Sequence, residues 1–183
     1  MADVIAQTVT GLGYDCVEVE RTSGGLLRVT IDWPYEVGGG DKPITVEDCE
    51  RVTRQLQFSL EVDGVDYRRL EVGSPGIDRL LRTETDLVRF TGETLDITLR
   101  NPIGTASGEV TANRKKFRGV LEKADTGWQM VWREDPKPAK PGAKRSAKAL
   151  AALPVHALGF TLDELREARL APIVDFKGKR PKA

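Results

Sequence analysis

Histidine and cysteine, which supply much of the chemistry and metal binding in proteins, are scarce in this chain of 183 residues. There is one histidine, His156, and there are two cysteines, Cys16 and Cys49. One histidine and two separated cysteines do not make a convincing zinc site, and a lone histidine in a predicted strand is more often structural than catalytic. We interpret the cysteines as reduced core residues, with a disulfide or a metal pair as the alternative.

Sequence motifs of several enzyme classes are also missing. No serine lies in a Gly-x-Ser-x-Gly setting, and no Gly-x-x-x-x-Gly-Lys-Ser/Thr loop is present. The glycine runs at 24–25 and 38–40 are not followed by a phosphate-binding helix with a lysine, so they indicate a turn and a loop. We therefore expect no catalytic residues, no metal, no cofactor and no small-molecule substrate. An enzyme with an unrecognised site is the alternative.

Long apolar runs are absent as well. No run of eighteen apolar residues exists, so we expect no membrane span. The first residues show no basic segment followed by an apolar one, so we expect no secretory signal and a cytoplasmic protein. The hydrophobic content of 39% is enough for one ordinary domain or two small ones.

The net charge of zero hides an asymmetry between the two halves. Residues 1–85 contain 9 Lys and Arg against 16 Asp and Glu, a net charge of −7. Residues 86–183 contain 19 against 12, a net charge of +7. An acidic half followed by a basic half indicates two partner surfaces. The alternative is that charge simply keeps both halves in solution.

Residues 1–85 carry the pattern of a small α+β domain. Apolar residues recur at helical spacing in residues 5–12, and Thr45 with Asp48 three residues later predicts the start of a second helix. Alternating runs on both sides of the turn at 23–25 predict a β-hairpin, and residues 67–72 predict a third strand. The order α-β-β-α-β predicts a three-stranded sheet backed by two helices.

Residues 86–176 predict a second unit that is mainly β. Apolar and polar residues alternate in several short runs that are separated by turn signals. The predicted strands cover residues 94–99, 115–123, 128–132, 153–160 and 168–176, with a brief helix at 162–166. Short strands with few helices favour a small barrel. We expect the tryptophans of this unit, Trp128 and Trp132, to be core residues, with base stacking as the alternative.

Basic residues of the second half concentrate at three places. A loop at about 135–149 carries five Lys and Arg among prolines and alanines, and residues 177–183 form a basic tail. The third place is a cluster beside a predicted strand, made by Arg114, Lys115, Lys116 and Arg118. This cluster predicts a phosphate-binding surface. A solvated strand end is the alternative.

The segment Ser74-Pro75-Gly76-Ile77-Asp78-Arg79 follows the third predicted strand directly. Ser-Pro-Gly is a turn signal, because Pro75 fixes φ and Gly76 accepts a positive φ. Two interpretations stay open. The segment is either a rigid connector between domains, with Asp78 and Arg79 paired locally, or an element that binds a partner directly.

The same segment carries a resemblance to a known family. The run Leu70–Arg79, with Phe90-Thr91-Gly92-Glu93 after it, resembles the signature of the ribosome maturation factor RimP family. Three further stretches resemble the family too, and the matches run in order along nearly the whole chain: residues 13–20, 117–121 and 167–172. The family usually carries a small polar residue or proline at the position of Gly73 and a proline at that of Leu80. The loop at about 135–149 also resembles an insertion relative to shorter members.

The resemblance implies an N-terminal α+β domain, residues 1–85, and a C-terminal SH3-like, Sm-like β-barrel, residues 86–176. It implies a non-enzymatic factor that assists maturation of the small (30S) ribosomal subunit in the cytoplasm and contacts small-subunit ribosomal proteins and 16S rRNA. We expect a monomer whose connector sets the angle between the domains, through Ser74, Pro75, Gly76, Asp78 and Arg79. The alternative is an Sm-like RNA-binding regulator that acts on free RNA, against which the acidic first half argues.

Overall fold

In the computed structural model the chain is described at residues 1–37, 42–102, 114–125, 127–133 and 154–171. It forms two units, Met1–Leu80 and Leu81–Ala183. The division predicted after residue 85 would lie inside a helix, Glu84–Arg89. Several predicted segments lie outside the described residues: the glycine run at 38–40, the basic loop at about 135–149, the end of the strand predicted at 168–176, and the basic tail at 177–183.

The first unit has the predicted order α-β-β-α-β. Its elements are α1 (Ala2–Gly11), β1 (Asp15–Arg21), β2 (Leu26–Asp32), α2 (Val46–Val62) and β3 (Arg69–Gly73). The sheet order is β1-β2-β3, with β1 antiparallel and β3 parallel to the central strand. Gly25, in the hairpin turn, has a φ of 82°, which an L side chain rarely adopts.

The core of the first unit lies between the sheet and its two helices. Each helix supplies the apolar residues that recur at helical spacing, and β2 supplies the alternate residues of one face. Side chains that are completely buried here include Ile5, Val9, Leu27, Val29, Ile31, Val52, Leu56 and Leu60. Val46, at the first position of α2, lies outside this core and is 71% exposed.

The start of α2 is fixed by a polar network around Asp48. Its Oδ2 accepts hydrogen bonds from the Thr45 backbone N–H at 2.9 Å and from the Thr45 hydroxyl at 3.0 Å. Its Oδ1 accepts a hydrogen bond from the buried Tyr14 hydroxyl at 2.7 Å. The Thr45 backbone N–H and the Tyr14 hydroxyl therefore hold the pKa of Asp48 below its usual value.

The substitution Asp48→Asn is expected to change how the stability of the first unit depends on pH. An aspartate with a lowered folded pKa stabilises the fold above its unfolded pKa of about 3.9, and that stability disappears as pH falls through the folded pKa. At pH 7 we expect the variant to lose about 1 kcal/mol, as for a lost helix cap. The urea midpoints of the two proteins should converge as pH falls through the folded pKa of Asp48, which lies below the unfolded value. Glu50→Gln, on the same helix, is the control, and midpoints that stay parallel through that pKa would contradict this role.

The second unit contains one further α-helix and five strands among its described residues. These are α3 (Glu84–Arg89), β4 (Thr94–Leu99), β5 (Lys116–Ala124), β6 (Gly127–Arg133), β7 (Val155–Phe160) and β8 (Leu165–Leu170). The sheet order is β7-β6-β5-β4-β8, and all neighbours are antiparallel. Within the described ranges β7 and β8 do not pair to close this sheet. The mainly β character is therefore confirmed, and closure into an SH3-like barrel stays a prediction.

Two elements of the second unit differ from the predictions. The helix α3 was not predicted, although Thr83 and Asp86 form a capping box at its start. The predicted helix at 162–166 is a 3-10 helix, Leu162–Glu164, and β8 begins directly after it. A register shift at Thr98 and Leu99 brings Leu165 opposite Leu99, so this buried leucine joins the sheet three residues before the predicted strand start.

Strand alternation separates the two faces of the five-stranded sheet. One face packs around the buried tryptophans Trp128 and Trp132, which are core residues as predicted. On β5 the buried residues Phe117, Gly119 and Leu121 alternate with exposed ones. The other face therefore presents the exposed side chains of β5 and of its neighbour β4 to solvent, including Lys116 and Arg118 of the predicted basic cluster.

Candidate functional site

The four residues of the predicted basic cluster lie together at the start of β5, although only part of the cluster faces the same way. Lys116 and Arg118 are exposed positions two apart in the strand, so they share the outer face. Lys115 donates from its Nζ to the Arg100 carbonyl oxygen at 3.2 Å. Arg114 donates from its Nε to the Lys116 carbonyl oxygen at 2.8 Å, so the arginine is held back against its own strand.

Aromatic rings also hold Arg114. Its guanidinium carbon lies 4.7 Å from the ring centre of Phe117 and 5.8 Å from that of Trp132. Trp132 in turn stacks on His156 with ring centres 5.6 Å apart. Such cation–π contacts favour a charge that stays beside the ring. Arg114 and His156 therefore have structural contacts at the edge of this core.

Arg118 is engaged by a carboxylate across the strand pair. Asp96 is its register partner on β4, and Nε of Arg118 donates to Oδ1 of Asp96 at 2.7 Å, with a second bond from Nη2 to Oδ2. This fork raises the pKa of Arg118 above its ordinary value, mainly through the hydrogen bond to Asp96. Arg169, which pairs with Asp96 from the other side, donates to Glu167 at 2.7 Å. The charges of this face are therefore mixed and alternate in sign.

These side chains line a groove of about 410 Å³ on the outer face of the second unit. Its lining includes four cationic residues and two carboxylates: Arg114, Lys116, Arg118 and Arg169, with Asp96 and Glu167. The balance is positive, so the groove can attract phosphate. Because Arg118 is forked to Asp96, a phosphate must compete for it, and Lys116 is the residue we expect to contribute most.

The connector segment is anchored on the first unit through Arg79. This arginine and Asp32, the last residue of β2, are both more than nine-tenths buried. Nε of Arg79 donates to Oδ2 of Asp32 at 3.0 Å, and Nη1 donates to the Leu80 carbonyl oxygen at 3.3 Å. The other oxygen of Asp32 accepts from the Trp33 backbone N–H at 2.8 Å. Arg79 thus forms a buried ion pair with Asp32, which lies 47 positions earlier in the sequence. Its local pairing with Asp78 stays a prediction.

The other connector residues are more accessible. Ser74, Gly76, Ile77 and Asp78 are exposed, and Pro75 is half-buried. A Cβ added at Gly76 would lie 3.0 Å from a carboxylate oxygen of Asp78, so the turn is tight at this point. The sequence predicts all of these connector residues, but it does not predict Asp32, the partner that anchors Arg79. Asp32 had no local signal, because it is one of two charged residues in the alternating strand β2.

Among the described residues, no three His, Cys, Asp or Glu side chains are grouped to hold a metal ion. Cys16 and Cys49 are half-buried thiols, and burial raises the pKa of the Cys49 thiol. No described helix is both long enough and apolar enough to span a membrane.

The chain is similar to one domain model over its first part and to known proteins over its whole length. A sequence model of the RimP N-terminal domain matches residues 4–78. A ribosome maturation factor RimP from Delftia acidovorans is 64% identical over 190 residues, covering 100% of this chain and 98% of its own length. Proteins of the same name from Paracidovorax citrulli and Polaromonas naphthalenivorans are 62% and 60% identical, again over 100% of this chain and over 96% and 95% of their own lengths.

Proposed function

The chain belongs to the RimP family of ribosome maturation factors, and from this premise we propose that it is a non-enzymatic assembly factor for the small (30S) ribosomal subunit. The observation that carries the proposal is the identity of about two-thirds with proteins named ribosome maturation factor over the whole chain. In this proposal it works as a cytoplasmic monomer, without a cofactor, on ribosomal protein and 16S rRNA surfaces.

The second unit is proposed to supply the RNA contact. Its outer groove carries more cationic than anionic side chains, and the sequence adds further basic residues at 135–149 and 177–183. Binding of this kind depends on salt, because phosphates release counterions when lysines neutralise them. Binding to phosphates carries little preference for base sequence, which suits a factor that binds a site on a ribosomal particle and does not read one base sequence.

The first unit is proposed to receive a basic ribosomal protein. Residues 1–85 carry a net charge of −7, which attracts a cationic partner and speeds the encounter at low salt. The connector residues Ser74, Pro75, Gly76 and Asp78 are proposed to set the angle between this domain, residues 1–85, and an SH3-like, Sm-like barrel at 86–176. The support for a stiff connector is its buried tie through Arg79.

Co-sedimentation with ribosomal particles tests the proposal. The purified chain is expected to sediment with free small subunits, and not with large subunits or joined ribosomes, and the association should weaken as salt rises. Lys116→Gln should lower the affinity at every salt concentration and reduce the slope of log affinity against log salt by about 1.

Lys123→Gln is the matched control, because Lys123 is exposed on the same strand and does not line the groove. An unchanged slope in the Lys116 variant would exclude this groove from the contact. Absence of the wild-type chain from every particle, together with tight binding to free RNA, would overturn the assembly factor in favour of an RNA-binding regulator.

A further inference from the structure

The helix α2 exposes large apolar side chains on the face opposite its core. Val52, Leu56 and Leu60 are completely buried against the sheet, whereas Phe58 is 66% exposed and Val62 is 89% exposed. Residues four apart in a helix lie on one face, so these two form a continuous apolar strip. An exposed phenylalanine beside a groove is a common feature of protein-binding surfaces.

A groove of about 590 Å³ lies beside this strip, between the end of α2 and the segment that leads to β3. Its apolar lining comes from Phe58, Leu60, Val65 and Tyr67. The charged residues among its described lining are both acidic, Glu61 and Asp66. The groove therefore combines an apolar floor with negative charge.

Phe58 also borders a second groove, of about 440 Å³, on its other side. That groove is lined by two glutamates and two arginines, so its charges balance: Glu47, Glu50, Arg51 and Arg54. Phe58 thus forms a ridge with an anionic groove on one side and a groove of no net charge on the other. A segment lying across the ridge would have cationic side chains favoured on the first side only.

Lysine and arginine side chains fit the first groove by their chemistry. Their apolar stems pack on hydrophobic surface while the charged head reaches a polar group. In this groove the stem would lie on Phe58 and Tyr67, whose rings also attract a cation, and the head would reach Glu61 or Asp66. Nucleic acid is disfavoured, because two carboxylates beside the site repel phosphate.

We propose that the Phe58 ridge and the groove lined by Glu61 and Asp66 dock an extended segment of a protein partner in which a lysine or arginine neighbours an apolar residue. The docking surface rests on the proposed function in one respect, that the partner is a small-subunit ribosomal protein. It adds to that function a defined surface on the acidic unit and the chemistry that this surface selects.

Binding of overlapping 15-residue peptides that cover the small-subunit proteins of a RimP-containing bacterium tests this surface. The full-length chain is expected to bind a few basic peptides that contain an apolar residue. Phe58→Ser should lower the affinity for these peptides about tenfold, as expected for an apolar anchor. The double variant Glu61→Gln with Asp66→Asn should lower the affinity and make it less dependent on salt concentration. Val46→Ser is the control, an exposed apolar residue of the same helix that lines neither groove.

Peptide binding that is absent, or equal in the wild type and the Phe58 variant, would overturn the docking surface. Self-association that Phe58→Ser abolishes would overturn it in favour of a second copy of this chain. Sedimentation of the wild type with small subunits, measured alongside, reports on the proposed function by itself. If the chain associates with small subunits but no peptide binds in a Phe58-dependent way, only the docking surface is refuted. If peptides bind in a Phe58-dependent way but the chain does not associate with small subunits, only the assembly role is refuted.

Discussion

Replacing Arg79 with alanine is expected to destabilise the first unit by about 3 to 5 kcal/mol, because it leaves the buried Asp32 carboxylate without its charge partner. The two side chains meet at 3.0 Å and both are shielded from water. Asp32→Ala should have an effect of similar size, because it removes the carboxylate that compensates the buried charge of the Arg79 guanidinium. Amide hydrogen exchange separates the units, and the loss should appear in β1, β2 and β3, with β4–β8 little affected.

An exposed ion pair in the same unit provides the control for this prediction. Arg54 and Glu50 meet at 3.1 Å on the surface of α2, where their side chains are 76% and 60% exposed. Arg54→Ala should therefore cost about 0.5 kcal/mol or less. The double replacement Asp32→Leu with Arg79→Met should recover much of the loss, because an apolar pair leaves no buried charge. A small effect of Arg79→Ala, close to that of Arg54→Ala, would refute a structural role for the buried pair.

Gly119→Ala is expected to destabilise the second unit by about 3 kcal/mol, the upper end of the usual range for overpacking. A Cβ at this position would lie 2.6 Å from the Val131 carbonyl oxygen and 2.9 Å from Cγ of Met130. The backbone oxygen belongs to the paired strand β6, so it cannot move away without disturbing the β5–β6 ladder. The expected result is a lower midpoint in urea, reported by the fluorescence of the buried Trp128 and Trp132.

Another strand glycine of the same sheet gives the matched control. A Cβ at Gly159, on β7, would meet its nearest neighbour, the Trp128 carbonyl oxygen, at 4.0 Å, an ordinary contact. Gly159→Ala should be neutral or slightly stabilising, because alanine has less freedom to lose when the chain folds. Equal effects at the two glycines would show that chain entropy, and not the close approach of β6, governs Gly119.

Local signals in the sequence were sufficient where the structure depends on near neighbours. Thr45 and Asp48 are three residues apart and cap α2 as predicted, and the hairpin of β1 and β2 follows from alternation around a glycine turn. The same capping signal, a threonine followed three residues later by an aspartate, also marks the start of α3. Thr83 and Asp86 have the same spacing and form the same box, so this helix was available from the sequence and was missed.

The basic cluster was predictable as a set of residues but not as a charged surface. Lys116 and Arg118 share the outer face of β5, as strand alternation requires. The pairing of Arg118 with Asp96 depends on the register between β4 and β5, which the sequence does not specify. The predicted site of four equivalent cations is therefore a groove of mixed charge, in which Arg118 is paired with Asp96 and Lys116 is the cation that we expect to contribute most.

The sequence by itself determined the family, the α-β-β-α-β order of the first unit, the β-rich second unit and the unequal charge of the two halves. These features follow from periodicity, capping and composition, which act over a few residues. Only the tertiary structure decided that Arg79 is tied to Asp32, that Gly119 lies against β6, and that Phe58 faces solvent beside two carboxylates. The physical reason is that burial and ion pairing depend on which distant segments of the chain come into contact, and short-range sequence patterns do not specify those contacts.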